Sequence, residues 1–166
     1  MQGKVDKVGH FMIPLSHYST LKKNATFEEA VNMMNQSAKE KGYRWVLVLD
    51  DEGRIVGILT LRNVYDALGS LASKAGGWLG ISFNNADLFF WDGLKLMKDT
   101  PVTKYIRPVV DAFVLENDPP SRAVEIIVKK KITIVPVLDS NLKVVGIVRP
   151  VDLLPFIIKL FETNIS

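Results

Sequence analysis

The chain has 166 residues, of which 48% are hydrophobic and 23% charged, with a formal net charge of +3; this composition is typical of a globular protein with one domain or two small halves. The absence of cysteine excludes disulfide frameworks, thiolate nucleophiles and cysteine-based metal sites. The N-terminus lacks an apolar secretory core and no run approaches the ~20 apolar residues that span a bilayer, so we expect a cytoplasmic protein that does not enter a membrane.

The first forty residues predict a short anchor, a strand and a helix. Met12-Ile13-Pro14-Leu15 is apolar, and its proline opposes a helix. Residues 19–23 are predicted to form a short strand. Thr26-Phe-Glu-Glu29 fits a capping box, and Gly42 ends the helix that it begins. The apolar face of this helix is predicted to comprise Phe27, Ala30, Val31, Met34 and Ala38.

A hairpin and a second helix follow, and then a segment without a counterpart elsewhere in the chain. The hairpin joins residues 44–50 and 54–60, and the helix covers 61–71 with its buried face at Val64, Ala67, Leu68 and Leu71. Residues 70–100 do not repeat. Their apolar residues form either a lid over the core, which we favour, or an exposed surface for a partner. These residues are Ile81, Phe83, Leu88, Phe89, Phe90 and Trp91.

Residues 101–166 repeat the plan of the first half. Tyr105-Ile-Arg-Pro108 parallels the first anchor, and residues 112–115 form a short strand. Asn117-Asp-Pro-Pro120 caps a helix that is filled by Ala123, Val124, Ile126, Ile127 and Val128. After a second hairpin, residues 153–161 form an apolar helix, in which Pro155 kinks the first turn or delays the start.

The two hairpins are copies of one stretch. Residues 45–63 and 134–152 align without gaps, so Gly57 and Gly146 lie 89 positions apart, as do their turn aspartates. Each half reads strand–helix–strand–strand–helix. This pattern resembles a tandem pair of CBS domains, the modules named after cystathionine β-synthase. The resemblance covers nearly the whole chain except 70–100.

The resemblance implies a mixed α/β (α+β) fold of two β-α-β-β-α repeats packed with pseudo-twofold symmetry. We expect repeat 1 at 8–72, an insertion or linker at 73–100 and repeat 2 at 101–162. The family has no catalytic machinery of its own and commonly forms flat dimers, so we expect a homodimer that is not an enzyme and acts on a separate effector chain. Its usual ligands contain adenosine, and we expect AMP, ADP or ATP, with AMP first, or S-adenosylmethionine.

The family motif Gly-x-x-Thr/Ser-x-x-Asp carries the binding chemistry. A hydroxyl three positions after the Gly can donate to a phosphate oxygen, and the amides of the following helix start favour an anion. An Asp six positions after the Gly can accept from both ribose hydroxyls. This sequence departs from the motif in both copies. The first has Thr60 and Asn63; the second has Arg149, whose guanidinium can reach a phosphate, and Asp152.

By the resemblance, two clefts form between the halves. One combines Asp152, Arg149, Pro14, Ser19, Tyr43 and Arg44. The other combines Thr60, Asn63, Arg107, Ala112, Ile132 and Thr133. We favour the first for ribose binding, with Tyr43 stacking on a base and Arg44 pairing with a phosphate. The alternatives are a helix cap for Asp152 and solvated surface charge for the arginines.

Other kinds of site find weaker support in the sequence. The Lys129-Lys130-Lys131 run is better explained as a solvated helix end than as a nucleic-acid footprint. His10 and His17, the only histidines, have no carboxylate at ligand spacing, and we predict no metal site. The three carboxylates of the turn at 50–53 are better explained as a Gly-ended hairpin turn than as a cation site. The glycines of 76–80 lack the Gly-Lys-Ser/Thr of a phosphate loop and indicate a flexible joint.

Two hypotheses for the function remain open. The first is a regulatory module that senses an adenosine compound and passes the change to a partner. The second is a ligand-independent scaffold, which assembles through the insertion at residues such as Phe89 and Trp91. No catalytic constellation stands out, so we do not expect an enzyme.

Overall fold

A computed structural model describes residues 6–74, 86–109 and 112–163, with the backbone alone at 72–74, 86–90 and 163. Over these residues the chain has a mixed α+β fold with two four-stranded sheets and five α-helices. It divides into two compact units. We call residues Met1–His17 with Val109–Ser166 the terminal unit, and Tyr18–Pro108 the central unit.

The secondary structure follows the predicted order. In chain order the elements are β1 Ile13–Pro14, β2 Thr20–Lys22, α1 Phe27–Lys41, β3 Trp45–Leu49, β4 Ile55–Thr60, α2 Leu61–Lys74, α3 Ala86–Lys98, β5 Arg107–Pro108, β6 Val114–Leu115, α4 Pro120–Lys130, β7 Val135–Leu138, β8 Val144–Val148 and α5 Leu154–Thr163. Short 3-10 turns connect several of them, including one at Pro150–Leu153 that leads into α5. Both predicted hairpins are therefore confirmed.

The central unit holds a sheet in the order β2-β3-β4-β5. β2 runs parallel to β3, and the next two pairs are antiparallel. The predicted capping box begins α1: Thr26 N donates to Glu29 Oε2 at 2.7 Å, and Glu29 N donates to Thr26 Oγ1 at 3.2 Å. Gly42 ends the helix with a φ of 77°, a left-handed conformation that glycine adopts without strain.

One core fills the central unit. Its buried members are Phe27, Ala30, Met34, Val46, Val48, Leu59, Val64, Ala67, Met97 and Val102. The predicted faces of α1 and α2 point into it, with Val31, Leu68 and Leu71 packed at its border. Met97 packs α3 against the same core, although this helix was not predicted from the sequence. Ser37 of α1 is also buried, beside the predicted apolar positions.

The terminal unit repeats this plan in the order β1-β8-β7-β6. β6 is parallel to β7, and the other two pairs are antiparallel. Its buried core consists of Val8, Ala112, Val114, Ala123, Ile126, Val135, Val137, Val148 and Leu153. Each unit therefore has its own sheet and its own hydrophobic centre.

Each sheet is completed by a short strand that precedes the other hairpin in the sequence. β1 belongs to the predicted first anchor and pairs with β8, where Pro14 lies opposite Gly146. β5 belongs to the second anchor and pairs with β4, where Pro108 lies opposite Gly57. A Cβ atom at Gly146 would lie 2.6 Å from the carbonyl oxygen of Ile13, so only glycine fits this close approach of two backbones.

The structure corrects three details of the second half. The strand predicted at 112–115 is confined to β6. No side chain caps α4 at its N-cap, Pro119; Asp118 instead accepts from Leu115 N at 2.8 Å, which keeps the loop before the helix closed. Val128, predicted to fill α4, is 67% exposed.

The predicted lid or partner surface of 70–100 is described only in part. The glycines of 76–80, Ile81 and Phe83 lie outside the described residues, as do the side chains of residues 88–90. Within α3, Met97 is buried while Trp91 is 56% and Leu96 77% exposed. The last turns of α3 thus both cover the central core and present apolar surface.

Candidate functional site

The two residues at the end of β8 form one ion pair. Arg149 Nε donates to Asp152 Oδ2 at 2.9 Å, and Arg149 Nη2 donates to Asp152 Oδ1 at 2.7 Å. The backbone N–H of Arg149 also donates to Oδ2, at 2.9 Å. The side chains are 26% and 11% exposed, so water screens this pair less than it screens a surface ion pair.

The local chain explains this arrangement. β8 ends at Val148, and Arg149 continues in extended conformation before the 3-10 turn at Pro150–Leu153. Pro150 opens the turn, where its missing N–H is not needed. Leu153 is buried in the terminal core and fixes the turn against the sheet. Asp152 is thus the third residue of the turn rather than its N-cap, and its carboxylate reaches back to the N-cap amide.

The first copy has the same geometry with neutral groups. Thr60 ends β4 and Asn63 lies in the first turn of α2. Asn63 Oδ1 accepts from Thr60 N at 3.0 Å and from Thr60 Oγ1 at 2.7 Å, while Asn63 N donates to Thr60 Oγ1 at 3.3 Å. The predicted site pair of each copy therefore also closes the start of a helix.

Arg107 lies beside the Thr60 end of β4. It is half-buried in β5 and pairs with Ile58, two residues before Thr60. Desolvation lowers the pKa of the Arg107 guanidinium from its ordinary value. Arginine remains protonated at neutral pH even so, and this edge of the central sheet carries a positive charge.

Three aromatic rings cluster at the start of β3. The Tyr43 ring lies 4.6 Å from the Tyr18 ring and 5.1 Å from the Trp45 ring, between centroids. Tyr18 is 5% exposed. Tyr18 was not among the predicted site residues, although the i, i+2 spacing of Tyr43 and Trp45, which places two side chains on the same side of an extended chain, was a signal for an aromatic cluster.

Arg44, between Tyr43 and Trp45 in the chain, is exposed. It lines a recess of about 230 Å³ beside α1 and the start of α2. The apolar wall of the recess includes Met34, Leu61 and Val64. A cationic rim on an apolar recess suits a ligand that joins an apolar part to an anionic one.

The other predicted site residues have varied surroundings. Pro14 is exposed in β1, and Ser19 is half-buried, with its carbonyl accepting from Leu47 N at 3.1 Å. Ala112 is 6% exposed in the terminal core. Ile132 packs against the same core, and Thr133 is exposed.

Each predicted cleft draws on both units. Pro14, Arg149 and Asp152 belong to the terminal unit, where Pro14 lies opposite Gly146, three residues before Arg149. Thr60, Asn63 and Arg107 belong to the central unit and sit on adjoining strands and a helix start. The structure thus brings together three residues of each set, and the remaining three of each set belong to the other unit.

The acidic and histidine side chains of the described residues do not form a metal site. Over 6–74, 86–109 and 112–163, no three His, Asp or Glu side chains converge as metal ligands would. The carboxylate of Asp50 instead closes its hairpin, accepting from Glu52 N at 2.9 Å and from Arg54 N at 2.8 Å. The hydrogen bond from the Arg54 amide is the main cause that lowers the pKa of Asp50. None of the helices in the described part of the chain is long and apolar enough to cross a bilayer.

The sequence of this chain is similar to a known family and to one curated protein. The family profile of the CBS domain matches this chain twice, at residues 8–70 and 95–159. A curated relative, the protein MJ1004 of Methanocaldococcus jannaschii, is 28% identical over 138 residues, which cover 82% of this chain and 50% of the relative. The chain thus spans about half the length of the curated relative that it matches.

Solved structures share the fold. The crystal structure of MJ1004 matches 95% of this chain and 62% of its own, with a TM-score of 0.62 and 26% identity. CBSX2, solved in complex with AMP, matches 93% of this chain and 97% of its own, with a TM-score of 0.65 and 17% identity. The cytosolic domain of the Mg²⁺ channel MgtE, solved in complex with ATP, matches 91% of this chain and 48% of its own, with a TM-score of 0.63 and 21% identity.

Proposed function

This chain belongs to the CBS domain family, and on that premise we propose that it is a regulatory binding module for an adenosine phosphate, with AMP the first candidate. The observation that carries the proposal is the pairing of Asp152 with Arg149 at the end of β8. A carboxylate that can accept from a ribose diol and a guanidinium that can hold a phosphate lie within hydrogen-bond distance of each other. A nucleoside phosphate needs both an acceptor for its ribose hydroxyls and a cation for its phosphate.

The complexes of CBSX2 with AMP and of MgtE with ATP support an adenine nucleotide as the ligand class. In our proposal Pro14, Ser19, Tyr43 and Arg44 complete the site of Asp152 and Arg149. The second site uses Thr60, Asn63, Arg107, Ala112, Ile132 and Thr133. In this second site the uncharged amide of Asn63 stands in the place of the Asp152 carboxylate. Because a neutral acceptor makes a weaker hydrogen bond with ribose, we expect weaker ligand binding there.

The proposal extends to organisation and mechanism. Residues 8–72 and 101–162 would be the two repeats, joined by residues 73–100. The module performs no chemistry of its own; the ligand favours one of its arrangements, and a separate effector chain reads the change. The ligand can change the free-energy difference between the two arrangements by no more than the difference between its binding free energies for them.

A thermal-shift panel with AMP, ADP, ATP and S-adenosylmethionine tests the ligand class. Ligand at about 100 times Kd adds ~2.7 kcal/mol, which raises the melting temperature by roughly 5–10 °C for a chain of this size. We expect such a rise with at least one adenosine phosphate and none with guanosine phosphates at equal charge. A panel without any adenosine-dependent rise would contradict the proposal.

A second candidate, the ligand-independent scaffold, is favoured by one observation. An apolar stripe runs along the last turn and helix of the chain at Val151, Leu154, Ile158 and Phe161, which are 53–65% exposed. Their spacing of three, four and three residues places them on one helical face, as in helices that pair with another helix. We propose that this stripe contacts a second copy in a homodimer, which is compatible with nucleotide binding.

Light scattering after size exclusion tests the homodimer. Leu154→Ser with Phe161→Ser, which replaces two exposed side chains, should give a folded monomer with a lower unfolding midpoint than the wild-type dimer, because association no longer stabilises the folded state. Leu96→Ser in α3, 77% exposed and outside the stripe, is the matched control and should leave the dimer intact. A wild-type monomer at all concentrations would remove the scaffold candidate but not the nucleotide proposal.

A further inference from the structure

A recess of about 370 Å³ lies between α1 and α3 in the central unit. Phe27 and Val31 of α1 line one side, and Trp91 and Leu94 of α3 line the other. Both pairs have the spacing of one helical turn, which places their members on the same helix face. Phe27 is only 4% exposed and belongs to the core, whereas Trp91 is 56% exposed. The volume and the apolar walls are those of a small-molecule site between helices.

The recess is distinct from the proposed nucleotide sites. None of the residues proposed to hold a nucleotide is among the described residues that line it. α3 lies in the segment that does not repeat, so the second half has no equivalent of this helix in its sequence. Of the described lining side chains, Asn32 alone is polar and uncharged, which is too few hydrogen-bonding groups to bind both a base and a ribose. A ligand with a large apolar part suits these walls better than a nucleotide does.

Charged side chains line the same recess. Two of them are cationic, Lys95 and Lys98, and one is anionic, Glu28. Lys98 Nζ lies 4.0 Å from Glu28 Oε2, and Lys95 Nζ lies 3.8 Å from Asp92 Oδ1. The side chains of both pairs are 47–76% exposed, and ion pairs of this length that are screened by water contribute little to stability. Both ammonium groups can therefore turn to an anion in the recess without the loss of a strong interaction.

We propose that this recess binds an amphipathic monocarboxylate, such as a fatty acid of medium chain length. The apolar chain packs between Phe27 and Trp91, and the carboxylate accepts hydrogen bonds from Lys95 and Lys98. At about 30 Å³ for a group the size of a water molecule, the recess holds about twelve methylene-sized groups. An anion is favoured over a cation because the lining residues include two lysines and one glutamate. This second ligand site goes beyond the proposed nucleotide site and does not depend on it.

Isothermal titration of the full chain with dodecanoate, below the concentration at which it forms micelles, tests this site. We expect dodecanoate to bind, and hexanoate, which has half the chain, to bind about 100-fold more weakly or worse because it buries fewer methylene groups. Dodecyltrimethylammonium has the same chain and the opposite charge, and we expect it to bind at least about 10-fold more weakly than dodecanoate. No binding of dodecanoate to wild type would overturn the proposal.

Leu94→Ser tests the apolar wall. The loss of this half-buried side chain should weaken dodecanoate binding by about 10- to 100-fold, which is the contribution expected from one buried leucine. Leu96→Ser is the matched control, because it makes the same substitution on the same helix at a position that is 77% exposed and outside the recess. Its dodecanoate affinity should equal that of wild type. Equal affinities in wild type and Leu94→Ser would indicate adsorption elsewhere, such as on the apolar stripe of α5, and would overturn the proposal.

Lys95→Gln with Lys98→Gln tests the contact with the carboxylate. Both lysines are exposed, so the double variant should fold, and its affinity for dodecanoate should fall by about 10-fold while that for dodecyltrimethylammonium does not fall. Lys39→Gln with Lys41→Gln removes the same charge from the last turn of α1 and should leave both affinities unchanged. An equal loss of dodecanoate binding in the two double variants would show an effect of net charge and overturn the proposal.

Titration of wild type with AMP separates this proposal from the nucleotide proposal. If wild type binds AMP but not dodecanoate, the recess proposal fails and the nucleotide proposal stands. If it binds dodecanoate but not AMP, the reverse holds. If it binds neither, both fail.

Discussion

The close approach of β1 to β8 gives a stability prediction that can be worked out from distances. In Gly146→Ala the new Cβ would lie 2.6 Å from the Ile13 carbonyl oxygen and 2.8 Å from Met12 Sδ. Because carbon and oxygen normally approach to about 3.3 Å, β1 must move by ~0.7 Å. The obstacle is main chain, and β1 is held to β8 through two residue pairs only, so the shift removes this pairing.

The expected loss of stability in Gly146→Ala follows from overpacking. Inserting a methyl group into a well-packed site costs about 1–3 kcal/mol, and the stiffer unfolded chain of alanine offsets about 0.4–1 kcal/mol. We expect a net loss of about 2 kcal/mol, or roughly 4–8 °C in melting temperature for a chain of this length.

Urea denaturation followed by circular dichroism measures this loss. Gly69→Ala in α2 is the control, because no atom within 4 Å would meet the new Cβ and alanine is the better helix former, worth ~0.5–1 kcal/mol. Gly57→Ala should behave as Gly146→Ala does, with Arg107 O at 2.6 Å as the obstacle. A Gly146→Ala protein whose free energy of unfolding lies within about 0.5 kcal/mol of wild type would show that β1 accommodates the methyl group without losing its pairing.

Three further predictions concern single side chains. Thr26→Ala removes the hydroxyl that caps α1 and should cost about 1 kcal/mol in urea denaturation; no measurable loss would contradict the capping role. Ser37 Oγ is buried and lacks a hydrogen-bond partner in the described part of the chain, so Ser37→Ala should be neutral or stabilising by up to ~1 kcal/mol, and a clear destabilisation would contradict this. The amide hydrogen bonds to Asp50 lower its pKa in the folded state, so their contribution to stability is complete above the unfolded pKa of about 3.9 and is lost as the pH falls through the folded value. A carbon-13 titration should give Asp50 a pKa below the ordinary value of an aspartate, and a raised pKa would contradict the assignment.

The sequence predicts the secondary structure well where local rules decide it. The capping box at Thr26, the helix end at Gly42 and the Asp-opened turns each depend on residues within four positions of one another. Because the two copies align without gaps, an element predicted in one half is also expected at the equivalent position of the other half. The family resemblance is confirmed by the profile match at 8–70 and 95–159.

The grouping of elements into compact units could not be read from local patterns. β1 precedes the first hairpin but completes the sheet of the second, and β5 does the reverse. Strand pairing across such a distance depends on tertiary packing, which two-residue strands do not encode in their own sequence. The glycines in the middle of β4 and β8 were the available signal, since glycine inside an apolar strand often marks a close backbone approach.

The side-chain contacts within the candidate site could not be predicted from the sequence either. Arg149 was predicted to hold a phosphate and Asp152 a ribose, each considered alone. The structure pairs them with each other, which depends on side-chain rotamers rather than on residue type. Their i, i+3 spacing at a helix start was the signal for the pair. Tyr18 escaped prediction because it lies 25 positions before Tyr43, and the two rings meet only in the folded unit.

The central claim is that Asp152 anchors an adenosine phosphate, and calorimetric titration of AMP tests it most directly. We expect that wild type binds AMP with a measurable heat, that Asp152→Ala loses this heat while remaining folded by circular dichroism, and that Asn63→Ala retains it. The Asn63 variant loses the equivalent turn contact in the other copy, so it controls for a general effect of opening the turn. No heat in wild type, or undiminished AMP binding in Asp152→Ala, would contradict the account.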